Sequence, residues 1–150
     1  FTMFSKGKWS GITGHQFEEE FVGSCKVRWT GEYIPFRPSV DMVRKGQPTD
    51  AVHELGKSFL TEVAKALDVT EAELTLLTAV GTPLDQFHRI DAIIEYRGMV
   101  AYVDFKMRNL ISRVAFVVRP EDVDNGFSLI AQDIAWFFRR KASEGGSAFA

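Results

Sequence analysis

Apolar residues recur along this chain with two different periods, and the change of period divides it into elements. Between residues 49 and 67 they fall at 52, 55, 59, 60, 63, 64 and 67, the spacing of one helix face. An amphipathic helix is expected there, with Thr49 after Pro48 as its cap. A second helix is expected over 70–80, because Thr70-Glu71-Ala72-Glu73 has capping-box spacing and Gly81 and Pro83 follow. Nearer the start, Phe17 and Phe21 stand four apart within 14–23, which predicts a short first helix capped by Thr13. The segment 26–34 alternates like a short strand until Pro35 and Pro38 break it. Residues 1–12, rich in Gly, Ser and Lys, are expected to be loose.

From Ile90 onward the period shortens. Ile90-Asp91-Ala92-Ile93-Ile94-Glu95-Tyr96 and Met99-Val100-Ala101-Tyr102-Val103-Asp104-Phe105-Lys106 are rich in Ile, Val and Tyr and are joined by Arg97-Gly98. This predicts a β-hairpin with a two-residue turn. If the turn sets the register, Tyr96 faces Met99, and counting outward brings Asp91 opposite Asp104. Side chains alternate faces, so Asp91, Asp104 and Lys106 then project from one side. Carboxylates opposed across a ladder repel, at a cost of some tenths of a kcal/mol to about 1, and strands tend to exclude Asp. Such a pair makes most sense as half of a cation site with the lysine beside it. A third strand is expected over 113–118, a loop over 119–126 and a last helix over 127–141, and the tail from 145 can start one more short strand. The order of elements points to an α/β sandwich around a mixed sheet.

Composition narrows the class. A chain of 150 residues with 45% hydrophobic content can bury one substantial core, so 1–150 is read as a single domain. No apolar run approaches the length of a membrane span, and no membrane partner is expected. The single cysteine, Cys25, leaves no internal disulfide; it is read as a small buried hydrophobe, and a reducing, cytoplasmic location is expected. No Cys/His cluster has zinc spacing. Net charge is only −2, so nucleic-acid contact must come from local basic patches.

The hairpin residues resemble the PD-(D/E)xK nuclease superfamily, whose signature is an Asp at the start of one strand and (Asp or Glu)-x-Lys near the end of the next. Asp91 takes the first place and Asp104-Phe105-Lys106 the second, with Ile90 where the family usually has proline. The resemblance implies a restriction-endonuclease-like mixed β-sheet flanked by helices: a helix, three meandering strands, a helix, then a strand parallel to the third. On that plan 49–80 is an inserted helical hairpin and 113–118 an extra strand. The implied activity is metal-dependent hydrolysis of DNA phosphodiester bonds with Mg²⁺ as cofactor and Mn²⁺ as substitute, by a homodimer or higher homo-oligomer. Asp91 would bridge cations, Asp104 and the Phe105 carbonyl would hold one of them, and Lys106 would orient the attacking water and offset developing charge.

Other residues fill out this reading. Gly14-His15-Gln16-Phe17-Glu18 matches the place where many members add a glutamate, which makes Glu18 the candidate rather than Glu19 or Glu20. Gln132 resembles a glutamine that some branches use to hold the lysine or a DNA strand, and with Arg139 and Arg140 it forms a stripe that could meet DNA. Trp136 on the same stripe is read as core. Arg89, Arg108 and Arg113 surround the motif in sequence and are candidate phosphate contacts. His88 is read as a satisfied structural histidine, and His15 and His53 show no pattern.

Two rival readings remain. A catalytically silent nuclease-fold module for nucleic-acid binding or assembly would have no reason to keep Asp91, Asp104 and Lys106 together. Residues 60–74 look like a helix-turn-helix, but the second helix would open with Glu71 and Glu73, and no Lys or Arg lies between Lys65 and Arg89. Such an end repels DNA, so this pair is read as packing on the domain or forming a subunit interface.

Overall fold

A computed structural model describes residues 9–25, 28–108 and 111–145. Helices α1 (Gly14–Glu19), α2 (Phe36–Val43) and α3 (Glu54–Leu67) precede strand β1 (Leu74–Thr78) and helix α4 (Pro83–His88). The hairpin β2 (Ala92–Tyr96) and β3 (Met99–Phe105), strand β4 (Phe116–Val118) and helices α5 (Pro120–Asp124) and α6 (Ser128–Ser143) complete the chain. The strands form one mixed sheet in the order β1-β2-β3-β4. β1, β2 and β3 run antiparallel, and β4 pairs parallel to β3.

The hairpin has the register read from its turn. Arg97 and Gly98 have φ of +49° and +77°, the type I′ pattern whose twist suits a two-residue connection. Tyr96 pairs with Met99 and Ala92 with Val103, so the next step brings Asp91 to Asp104. Arg97 reaches back to Glu73 (Nη2–Oε1 2.9 Å) and lies over the Tyr96 ring.

The segment 70–80 is not a helix. One 3₁₀ turn (Glu71–Glu73) is followed by β1, whose Leu74, Leu76 and Thr78 are buried while Thr75 is exposed. That is a period of two, and packing of Leu74 and Leu76 against the hairpin overrides the capping-box start. The helix-turn-helix reading and the inserted helical hairpin both fall with it. Pro83, expected to end a helix, instead occupies the first turn of α4, where its missing N–H costs nothing. The helix over 49–67 begins only at Glu54, with His53 rather than Thr49 at its N-cap position and no side-chain cap bond. Before it, Val52 bridges Val22, and Gly23 N–H donates to the Ala51 carbonyl at 2.8 Å, which holds 51–53 extended.

Three smaller expectations are also revised. Trp9 is buried and packs edge-on to Phe17 at 4.9 Å, which anchors the end of the segment expected to be loose, and residues 1–8 of that segment lie outside the described residues. Residues 28–30 are not strand, and Cys25 is only partly buried. The expected strand 113–118 is shorter, 116–118. The tail strand falls on 146–150 and the start of the 26–34 strand on 26–27, outside the described residues.

Alternation along the strands builds two cores. Leu76, Ile94, Ala101, Val103 and Phe105 face α3 and α6, joined by Phe17 of α1 and by Phe21. Ile93 and Val100 face Val40 and Val43 of α2 and Leu84 of α4. By the same alternation Asp91 and Asp104 belong to the α2–α4 side, at the end of the sheet where α1 crosses.

Gly56 sets how closely α3 approaches that crossing, since a Cβ there would stand 2.2 Å from the Phe21 carbonyl oxygen. Gly56→Ala gains about 1 kcal/mol of helix propensity but must push backbone from backbone, a cost of about 1–3 kcal/mol or more. A thermal melt of G56A is therefore expected to fall by roughly 2–6 °C; a rise would show that α3 does not press on this segment.

Candidate active site

Phe105 arranges the site by pointing away from it. Its ring is buried and stacks on Phe21, centroids 4.2 Å apart and planes within 16°. Because neighbouring side chains in a strand alternate, Asp104 and Lys106 must emerge on the other face. Lys106 Nζ lies 3.3 Å from Asp104 Oδ2, and its backbone N–H donates to the Val118 carbonyl of β4 at 2.9 Å.

Asp91 is fixed on both sides. Its N–H donates to the Val103 carbonyl at 2.9 Å and its carbonyl accepts from Ala79 N–H at 2.7 Å. Its Oδ2 accepts from Phe105 N–H at 2.9 Å, locking the side chain over the end of β3. Glu18 arrives from α1, whose start is held by the Thr13–Gln16 capping box. Glu18 is only 13% exposed and is held by His15, Nδ1–Oε2 3.0 Å. Asp85 comes from the first turn of α4, with Oδ2 accepting from Gly81 N–H at 2.9 Å.

These groups line one pocket of about 620 Å³. Glu18, Asp85, Asp91 and Lys106 meet there with His15, Arg28, Gln86, Arg89 and Arg108. Phe105 also lines it, and since its ring is in the core it offers backbone. Asp104 sits beneath, 4% exposed.

Burial, then the hydrogen bond and charge of Asp104, and then the charge of Glu18 push the Asp91 carboxyl up to about 10. Burial raises Glu18, helped by the Asp85 charge, and burial is also the main cause that raises Asp85. Without a cation, a proton held within the cluster relieves its repulsion. One oxygen, Asp104 Oδ1, is buried with no hydrogen-bond partner, a costly state for a carboxylate. Among the described residues, no group of three or more His, Cys, Asp or Glu side chains is placed so as to hold a metal ion as it stands.

The hairpin acids, Lys106 and Glu18 thus share one site, with Arg89 and Arg108 on its wall. Gln132, Arg139 and Arg140 do not line it. They sit on α6, which packs against the other face of the sheet. Gln132 bonds Ser128, Arg139 the Ala66 carbonyl, and Arg140 pairs with Glu144. Trp136, read as core, is 61% exposed beneath the Arg140 guanidinium. Arg113 lines a separate pocket with Tyr102, Phe116 and Phe137. His88 is satisfied by the Ile34 carbonyl at 2.8 Å, as expected. The sequence reading missed Asp85, His15, Arg28 and Gln86. Asp85 had a signal: reading Pro83 as a helix start rather than a stop puts it in a first turn, six residues before Asp91.

No family model matches the chain, and no curated protein or solved structure matches it.

The pKa of Asp91 has a consequence for stability. The unfolded group titrates near its ordinary 3.8 and the folded group near 10. Between these the native state holds the extra proton, so the stability this group contributes is full below pH 4 and is lost as pH rises towards about 10. Asp91→Asn keeps an acceptor for Phe105 N–H and removes the ionisable group, so folding no longer has to take up a proton there. Metal-free D91N is expected to melt roughly 3–6 °C above wild type at pH 8, the shift made by about 1–2 kcal/mol in a domain of this size. It should also lose stability less steeply between about pH 5 and 9. Parallel wild-type and D91N curves would mean that Asp91 is ionised in the native protein.

Proposed function

We propose that this protein is a metal-dependent deoxyribonuclease of the PD-(D/E)xK kind. The observation that carries the reading is the meeting of Glu18, Asp91 and Lys106 on one pocket at the end of β2 and β3, with Asp104 buried against Asp91 and paired with Lys106, brought there from segments far apart in sequence. The strand plan supports it: three antiparallel strands run in sequence order with a fourth parallel to the third, which puts 116–118, expected as an extra strand, in the place of the plan's parallel strand. The departure is the link between β3 and β4, where 106–108 and 111–115 contain no helix.

The donors fit a hard divalent cation. All are oxygens, and Asp104 Oδ1 is a buried acceptor without a partner. Asp91, Asp104, Glu18 and the Phe105 carbonyl would hold Mg²⁺ or Mn²⁺. When bound, the cation supplies a Lewis acid that polarises the scissile phosphate and lowers the pKa of water.

Lys106 does the remaining positive work. Tied to Asp104 and held at the strand end by β4, its ammonium donates to the attacking water and offsets charge growing on the phosphorus oxygens. Arg89 and Arg108, on the pocket wall, position the phosphate backbone. Asp91 keeps the Phe105 amide in place and so fixes the carbonyl that follows it.

Incubation of the purified protein with plasmid, single-stranded and branched DNA in Mg²⁺ or Mn²⁺, with Ca²⁺ as control, tests this. Lys106→Ala is expected to lower cleavage by about 10²-fold or more while leaving metal and DNA binding largely intact. Asp91→Ala should remove both cleavage and metal binding. Wild-type protein that binds DNA but cuts no form of it would transfer the reading to a silent binding module. K106A that cuts as well as wild type would remove Lys106 from the mechanism.

A further inference from the structure

We propose that Asp85 is a fourth carboxylate of the cation site, so that the metal is held by Glu18, Asp85, Asp91 and Asp104, only two of which belong to the hairpin motif. The inference rests on the nuclease reading only in taking the pocket to be a cation site.

Asp85 lines the same pocket as Glu18 and Asp91. One of its oxygens is explained by the fold: Oδ2 accepts from Gly81 N–H at 2.9 Å and secures the start of α4. That bond does not explain why the carboxyl also lies within hydrogen-bonding reach of Asp91 and in the field of Asp104. A cap alone is served equally well by Asn or Ser, without bringing another negative charge to Asp91.

A second observation points to a missing positive partner. The Asp104 side chain is 5% exposed, and its Oδ1 is buried without a partner while the same carboxyl lies within hydrogen-bonding reach of Asp91. Lys106 pairs with Asp104 Oδ2 and the Arg28 charge acts on Asp85, but no hydrogen-bond partner reaches Asp104 Oδ1, which leaves that oxygen for a cation. The set is all oxygen, so the ion is of the Mg²⁺, Mn²⁺ or Ca²⁺ class rather than zinc. The hairpin and α1 supply three of the acids; α4, through Pro83 at its first turn, supplies the fourth.

Mn²⁺ titration of the full chain without DNA, followed by calorimetry and by the spin-resonance signal of free Mn²⁺, tests the assignment. Asp85→Asn keeps an acceptor for Gly81 N–H and removes the charge. D85N is expected to bind Mn²⁺ at least tenfold more weakly than wild type, with a metal-free melting point equal to or above wild type. Asp85→Ser gives the same readout should the amide variant not fold. If D85N binds Mn²⁺ within twofold of wild type while D91N does not, Asp85 is a helix cap only and the nuclease reading stands without it. If wild type itself binds no Mn²⁺, this inference and the metal-dependent reading fall together.

Discussion

The stack of Phe21 on Phe105 ties the chemistry of this protein to its core. Burying a ring of that size contributes about 1.5–3 kcal/mol, but its directional effect matters more. With Phe105 drawn into the core, the strand has no freedom to turn Asp104 or Lys106 inward. A slip of one residue in the hairpin would place both on the wrong face and bury two charges against α3 and α6. The hydrophobic ring therefore protects the register that the Arg97-Gly98 turn begins. From the other side, Phe21 stands three residues after Glu18, so the contact that holds β3 also sets where α1 delivers its carboxylate. Gly56 lets α3 press against the carbonyl of Phe21, and this closes the arrangement from behind.

What was legible in the sequence followed from local rules acting without competition. The hairpin could be read to the residue, because a two-residue turn and strict alternation leave one register. The Thr13 cap and the buried pair Phe17 and Phe21 were equally readable. The failures share a cause. Residues 74–80 carry apolar groups at spacings that suit a helix or a strand, and the sheet partner that decides between them, β2, lies some twenty residues away. Misreading β1 hid the start of α4, and with it Asp85. His15 and Arg28 carry no local pattern; they enter the site only because the crossing of α1 and the turn at Gly81 bring them there. Trp136 failed differently: a large apolar residue at helical spacing reads as core, but it stands exposed on α6 with Arg140 over its ring.

Distribution of charge explains how a chain of net charge −2 can present a basic wall. Several cations are engaged elsewhere: Arg44 with Glu95, Lys65 with Glu62, Arg97 with Glu73 and Arg140 with Glu144. Arg28, Arg89 and Arg108 instead line the pocket that holds the acids. Positive rim and negative floor are what a phosphodiester with a cation beneath it requires, since the phosphate oxygens face one and the metal the other. A uniformly basic groove would bind DNA more tightly but would have no place for the cation.

The same floor is a standing cost to the fold. Four carboxylates at the end of one sheet, one of them with an unpartnered buried oxygen, destabilise the cation-free chain, and a proton held within the cluster lessens that cost only partly. Sequences that merely had to fold would replace any of these acids with an amide and lose nothing in packing. Conflict between local stability and the residue present marks a functional position. Here the conflict is concentrated at Asp91 and Asp104, the two positions that a β-hairpin would most readily give to Val or Thr. A cation entering the pocket would turn the repulsion into coordination, and the acids gathered by Phe105 and Phe21 would have to draw closer around it, since no three of them are placed to hold a metal as they stand.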